Sequence, residues 1–207
     1  VDTARPELEV LKEIRVQLRE EMLAQMQQDS VNVEEINALL EANWASVHTK
    51  LSVLAQKITD FHTMLTPEQR SKVKERMSKG WKTNDLERLE SSNTSRIVFG
   101  MSIALDLDDI QEQEMTNLIN NLRNESEEFK ERRVELKEEM YEKILQDTVN
   151  VEDVEALLDV RWSEVQSKLP LLAQGFTDFH TILTQEQRVK IAQKLEKKWD
   201  SGNRGNR

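Results

Sequence analysis

Apolar residues recur along this chain at intervals of three and four. Leu8, Leu11, Ile14, Leu18, Met22 and Met26 predict a helix over about residues 6–28. Pro6 stands in its first turn, where a missing backbone N–H is tolerated. Asp29 and Asn32 interrupt the pattern, and Asn32 caps the second helix with Glu35 as its capping-box partner. From about residue 33 to 63, Leu40, Trp44, Val47, Leu51, Leu54, Ile58, Phe61 and Leu65 alternate steps of four and three. That seam averages ~3.5 residues, as in coiled coils, and predicts one long helix of roughly 45 Å at ~1.5 Å per residue. Two long helices with a short turn between them predict an antiparallel hairpin. Thr66 as N-cap, Pro67 at the first helical position and Gln69 reaching back to the cap then open a short helix that ends near Trp81.

The pattern returns 118 residues later without a gap. Asp29-Ser30-Val31-Asn32-Val33-Glu34 becomes Asp147-Thr148-Val149-Asn150-Val151-Glu152. Asp60-Phe61-His62-Thr63-Met64-Leu65-Thr66-Pro67-Glu68-Gln69-Arg70 becomes Asp178-Phe179-His180-Thr181-Ile182-Leu183-Thr184-Gln185-Glu186-Gln187-Arg188. Trp44 and Trp81 recur as Trp162 and Trp199. The period exceeds the ~20–50 residues of solenoid repeats, so it marks a duplicated domain. Pro170 replaces Ser52 inside the second long helix and predicts a kink there. The second copy also has a preamble: Asp108 caps a helix with Gln111 at its third position, and Met115, Leu118, Ile119 and Leu122 carry it toward Phe129, Leu136, Met140 and Ile144. By register, the matching stretch of the first copy falls before Val1. The expected division is a first unit at 1–82 without its first motif, a polar linker at 83–102, a second unit at 103–200 and a disordered tail at 201–207.

Composition agrees with an all-α chain. A third of the residues are charged (33%), with 5 Gly and 3 Pro. The net charge of −10 argues against nucleic acid, which requires a basic face. No apolar run approaches the ~20 residues of a membrane span. The lack of cysteine excludes disulfides and thiolate metal sites but fits any redox compartment. A chain opening on Val1 suggests a removed signal peptide or an arbitrary boundary.

Leu65-Thr66-x-x-Gln69 and Leu183-Thr184-x-x-Gln187 resemble the Leu-Thr-x-x-Gln motif of the Spy/CpxP family of bacterial periplasmic proteins, which includes heavy-metal-resistance and metal-sensing relatives. Leu107-Asp108-x-x-Gln111 is similar to that family's first motif, with Asp for Thr. The resemblance implies bent helical hairpins and structural motif residues. In the family two units pair into a cradle, so a duplicated chain resembles an intramolecular pseudo-dimer, with further homo-oligomers open. It also implies ATP-independent binding of unfolded or misfolded envelope proteins on a concave face, or damping of a sensor kinase. One departure is charge: the cradles of chaperone members are basic, whereas this chain is acidic, with local cations at Arg132-Arg133 and Lys194–Lys198.

For client binding the candidates are Met22, Met26, Trp44, Leu51 and Ile58, with their counterparts Met140, Ile144, Trp162, Leu169 and Phe176. The plainer role for these residues is core. His62 and His180, beside Asp60 and Asp178, are the weak candidates for a metal shared across the repeat; packing near the cap is the plainer alternative. No cysteine nucleophile, phosphate loop or nucleophile elbow is present, so an enzyme is not expected and no cofactor is implied. Three readings stay open: a periplasmic chaperone or stress modulator, a metal-responsive sensor, and a structural helical module.

Overall fold

The computed structural model describes residues 5–82 and 94–204, with side chains described at 9–10, 12–78, 94–125 and 135–197. Trp81, Trp199 and Arg132-Arg133 therefore lie outside the described side chains, as residues 83–93 of the expected linker lie outside the described chain. Every described element is an α-helix: α1 (Arg5–Met26), α2 (Val33–His48), α3 (Leu51–Thr63), α4 (Pro67–Lys82), α5 (Thr94–Leu105), α6 (Asp109–Leu145), α7 (Val151–Gln166), α8 (Leu169–Ile182) and α9 (Gln185–Arg204).

The helix ends correct several expectations. The long helix predicted over 33–63 is two helices, broken at Thr49-Lys50, and its counterpart breaks at the equivalent Ser167-Lys168. The cause is local and shared. The Thr49 hydroxyl donates to the Ser46 carbonyl at 2.9 Å and the Ser167 hydroxyl to the Glu164 carbonyl at 2.7 Å. The next N–H, of Lys50 or Lys168, bonds three residues back instead of four, so side chain and backbone together tighten and end the turn. Pro170 is not an internal kink: it stands in the first turn of α8, where proline is tolerated. The linker expected at 83–102 also ends too late, since α5 starts at Thr94 and buries Val98 in the second unit's core. The tail expected at 201–207 begins as the end of α9, which runs to Arg204.

The caps follow the sequence closely. The Asn32 side chain accepts from the Glu34 N–H at 2.8 Å rather than closing a box with Glu35, and Asn150 accepts from the Asp153 N–H at 2.7 Å. Asp108 and Gln111 form a complete capping box at the start of α6.

Although α1 and α2 touch, the most extensive packing runs between the copies. Helix α2 lies on α8 and α3 lies on α7; α1 meets α9, and α4 meets α6. Each pairing is thus matched by its exchanged counterpart, the self-complementary pattern of an isologous contact. At its centre Trp44 stacks on its equivalent Trp162, with ring centroids 4.3 Å apart and planes at 14°. The equivalent small residues Ala55 and Ala173 are both fully buried, and Ala55 clusters with Val149 and Val154 of the other copy. A second cluster joins Val98 and Leu105 of α5, Leu107 before α6, Met115 and Leu118 of α6, and Leu183 before α9.

Candidate functional site

The motifs form the best-connected polar site in the second unit. The Thr184 N–H donates to Gln187 Oε1 at 2.9 Å, while the Gln187 N–H donates to Thr184 Oγ1 at 3.3 Å. Asp108 and Gln111 repeat this arrangement at 3.1 and 2.9 Å. Both boxes satisfy N–H groups that a helix start leaves unpaired.

The glutamine amides then join the two starts. Gln111 Nε2 donates to the Ile182 carbonyl at 2.7 Å, and Gln187 Nε2 to the Asp106 carbonyl at 3.2 Å. The two amides also face each other, with Nε2–Oε1 separations of 2.8 and 3.0 Å. Leu107 and Leu183, the first residues of the two motifs, are both buried in the apolar cluster. Asp106 holds a left-handed backbone (φ 60°), uncommon outside glycine but accessible to Asp, so that α5 can turn into α6 at this point.

The first unit carries the same box without the same cover. The Thr66 N–H donates to Gln69 Oε1 at 2.8 Å and the Gln69 N–H to Thr66 Oγ1 at 3.3 Å. Gln187 is buried, whereas Gln69 is exposed; Leu183 is buried, whereas Leu65 is only partly so. In the second unit α5 and the front of α6 pack over Leu183, Phe179 and Ile191. The equivalent residues Leu65, Phe61 and Val73 instead line an open groove of about 400 Å³. Its other walls are Met77 of α4, Leu136, Met140 and Ile144 of α6, and Leu157 and Leu158 of α7. Phe61 is 51% exposed and Met64, before the motif, 71%. Lys57, Lys143 and Arg161 stand at the groove. Lys143 pairs with Asp153 at 2.7 Å and Arg161 with Glu164 at 3.3 Å.

The histidines serve the fold rather than each other. His62 Nε2 donates to the Ile144 carbonyl at 3.2 Å, and His180 Nε2 to the Gln28 carbonyl at 3.0 Å. The following arginines reinforce them: Arg70 bonds the Gln146 carbonyl and the Asp147 carboxylate, and Arg188 bonds the Leu183 and Asp29 carbonyls. Each copy thus places a buried His and Arg at the carboxyl end of the other copy's helix, where carbonyls lack partners and the dipole favours a cation. His62 and His180 thus each hold a different helix end, the packing role weighed above against a shared metal. Among the described residues no group of three or more metal-ligating side chains converges. Burial pushes the His180 pKa down, the Gln28 carbonyl opposes this and nearby Arg188 adds to it.

The client-binding candidates divide. Ile58, Met140 and Ile144 line the groove. Met26 (4% exposed), Leu169 (4%) and Trp162 (9%) are core residues and are not available to a client, a correction that follows from their burial. Trp44 is spent on Trp162, while Met22, Leu51 and Phe176 are partly buried. Sequence reasoning weighed Met77 as part of an adaptable surface but missed Val73 and Leu136 as site residues; their signal was an apolar stripe on α4 facing one on α6.

Among the described residues no helix is long and apolar enough to cross a membrane. Residues 98–195 match the family model described as LTXXQ motif family protein. No curated protein and no solved structure was found to match the chain.

Proposed function

Because residues 98–195 belong to the LTXXQ motif family, the family of Spy/CpxP type associated with periplasmic proteins, we propose that this chain is a periplasmic, ATP-independent chaperone that holds unfolded envelope proteins in the groove between α3 and α4 of its first copy and α6 and α7 of its second. The observation that carries this reading is the groove itself, walled by Ile58, Phe61, Met77, Met140 and Ile144 and open to solvent. Apolar surface concentrated in one concavity, rather than scattered, marks a site for protein or ligand. Its methionines adapt to varied side chains. A client segment gains by burying apolar area there, and leaves when its own core competes for the same residues.

The test is aggregation of a chemically denatured test protein with equimolar chain and no ATP, in chelator and then with zinc. The reading expects suppression in chelator, unchanged by zinc, and its loss in Ile58→Glu/Phe61→Glu, two exposed positions where charge leaves the fold intact. Absence of suppression by the unsubstituted chain would sink it.

A further inference from the structure

Helix α5 buries one apolar face and exposes another. Thr94, Val98 and Leu105 are buried, the last two in the second unit's apolar cluster. Arg96, Phe99, Gly100 and Ile103 fall three and four apart on the other side, and all are exposed. Phe99 is 65% exposed and Ile103 69%, and no charged residue stands between Arg96 and Asp106. None of the residues that line the groove lies on α5. Gly100 answers no need inside the chain: it is helical, and a Cβ on it would meet nothing within 4 Å. Alanine would hold the helix better. What glycine supplies is room for a second backbone to approach beside Phe99.

We infer that this face pairs with the same face of a second copy of the chain, α5 against α5, antiparallel about a twofold axis. A twofold contact must be self-complementary, and the order of residues along α5 meets that condition. The register that lays Phe99 against Ile103 of the second copy also lays Arg96 against Asp106 of the second copy. Arg96 and Asp106 are exposed, and neither makes an ion pair among the described residues. In this register Arg96 also comes to the carboxyl end of the facing helix, where the dipole favours a cation. Gly100 lies next to the axis, where the two helices come closest. A lipid surface fits this face less well, because Asp106, Asp108 and Asp109 crowd one end of it and anionic headgroups repel them.

The test is sedimentation equilibrium of the full chain from about 1 to about 300 µM, a range suited to an interface of small area. The mass is expected to rise from 24.2 kDa toward twice that value. Phe99→Glu should weaken the dimer about tenfold or more. Arg96→Glu should weaken it about threefold and reduce its salt dependence. Gly100→Leu should weaken it about tenfold while the urea midpoint of the monomer does not fall, which separates a blocked approach from a damaged fold. A chain that stays monomeric throughout this range overturns the inference. So does a dimer that either Phe99→Glu or Gly100→Leu leaves intact, since its interface then lies elsewhere. Flotation of a monomeric chain with phosphatidylcholine–phosphatidylglycerol vesicles, lost in Phe99→Glu, would assign the face to lipid and overturn it as well.

Discussion

Gln111 and Gln187 each use every polar atom of the side chain, one oxygen on a helix start and one nitrogen on the opposite strand of backbone and the partner amide. Gln187→Ala therefore removes buried bonds and leaves Gln111 underpartnered, with an expected loss of about 2–3 kcal/mol in urea unfolding. Gln69→Ala removes an exposed cap bond and should cost about 0.5–1 kcal/mol. Equal losses would contradict the asymmetry of the two motifs. The caps were legible in the sequence because Thr66, Thr184 and Asp108 act on N–H groups three residues away. The amide pair was not, because it joins residues 76 apart. His180 adds a pH signature. Its folded pKa is lowered by burial, so below the ordinary value of 6.5 the unfolded chain binds a proton that the folded chain resists. Stability is fully present above pH 6.5 and declines as pH falls through the folded value. Thermal melts from about pH 7.5 to about pH 5 should show this decline, and His180→Gln should flatten it.

At the scale of elements, the 3.5-residue seam was legible but the break at Thr49-Lys50 was not. Periodicity continues across it, and the hydroxyl that ends α2 is one of many surface Ser and Thr residues. Pro170 attracted attention for a chemical property that its place in the first turn of α8 neutralises. Helix α6 runs 37 residues from the second unit's apolar cluster to the first unit's groove. Its front half depends on Gly175. Gly175→Lys, which installs the first copy's residue, should push Leu122 out of contact and cost about 1–3 kcal/mol. Dye binding by the newly exposed cluster, measured with the urea midpoint, checks it; an unchanged midpoint would mean Leu122 repacks freely.

Over the whole molecule, duplication decides which apolar stripe is core. A seam read one copy at a time cannot show that Trp44 and Trp162 face each other, or which of its residues, such as Met26 and Leu169, end up buried. Trp stacking at 4.3 Å couples the indole transitions, so a paired positive and negative band in the near- and far-ultraviolet circular dichroism is expected, and Trp44→Phe should abolish it. Loss of secondary structure in that variant would instead assign the stack a role in holding the copies together. The exchanged pairing of α2 with α8 and α3 with α7 has a consequence in time. The first copy finds its partners only after another 118 residues have been made, which at ribosomal rates is roughly 6–24 s. Long-range pairings of this kind are slow to close. During that interval Ala55, fully buried at the end, lacks its second-copy neighbours Val149 and Val154. The chain thus stays unfinished until its second copy arrives, and its own synthesis sets a minimum delay before the groove exists.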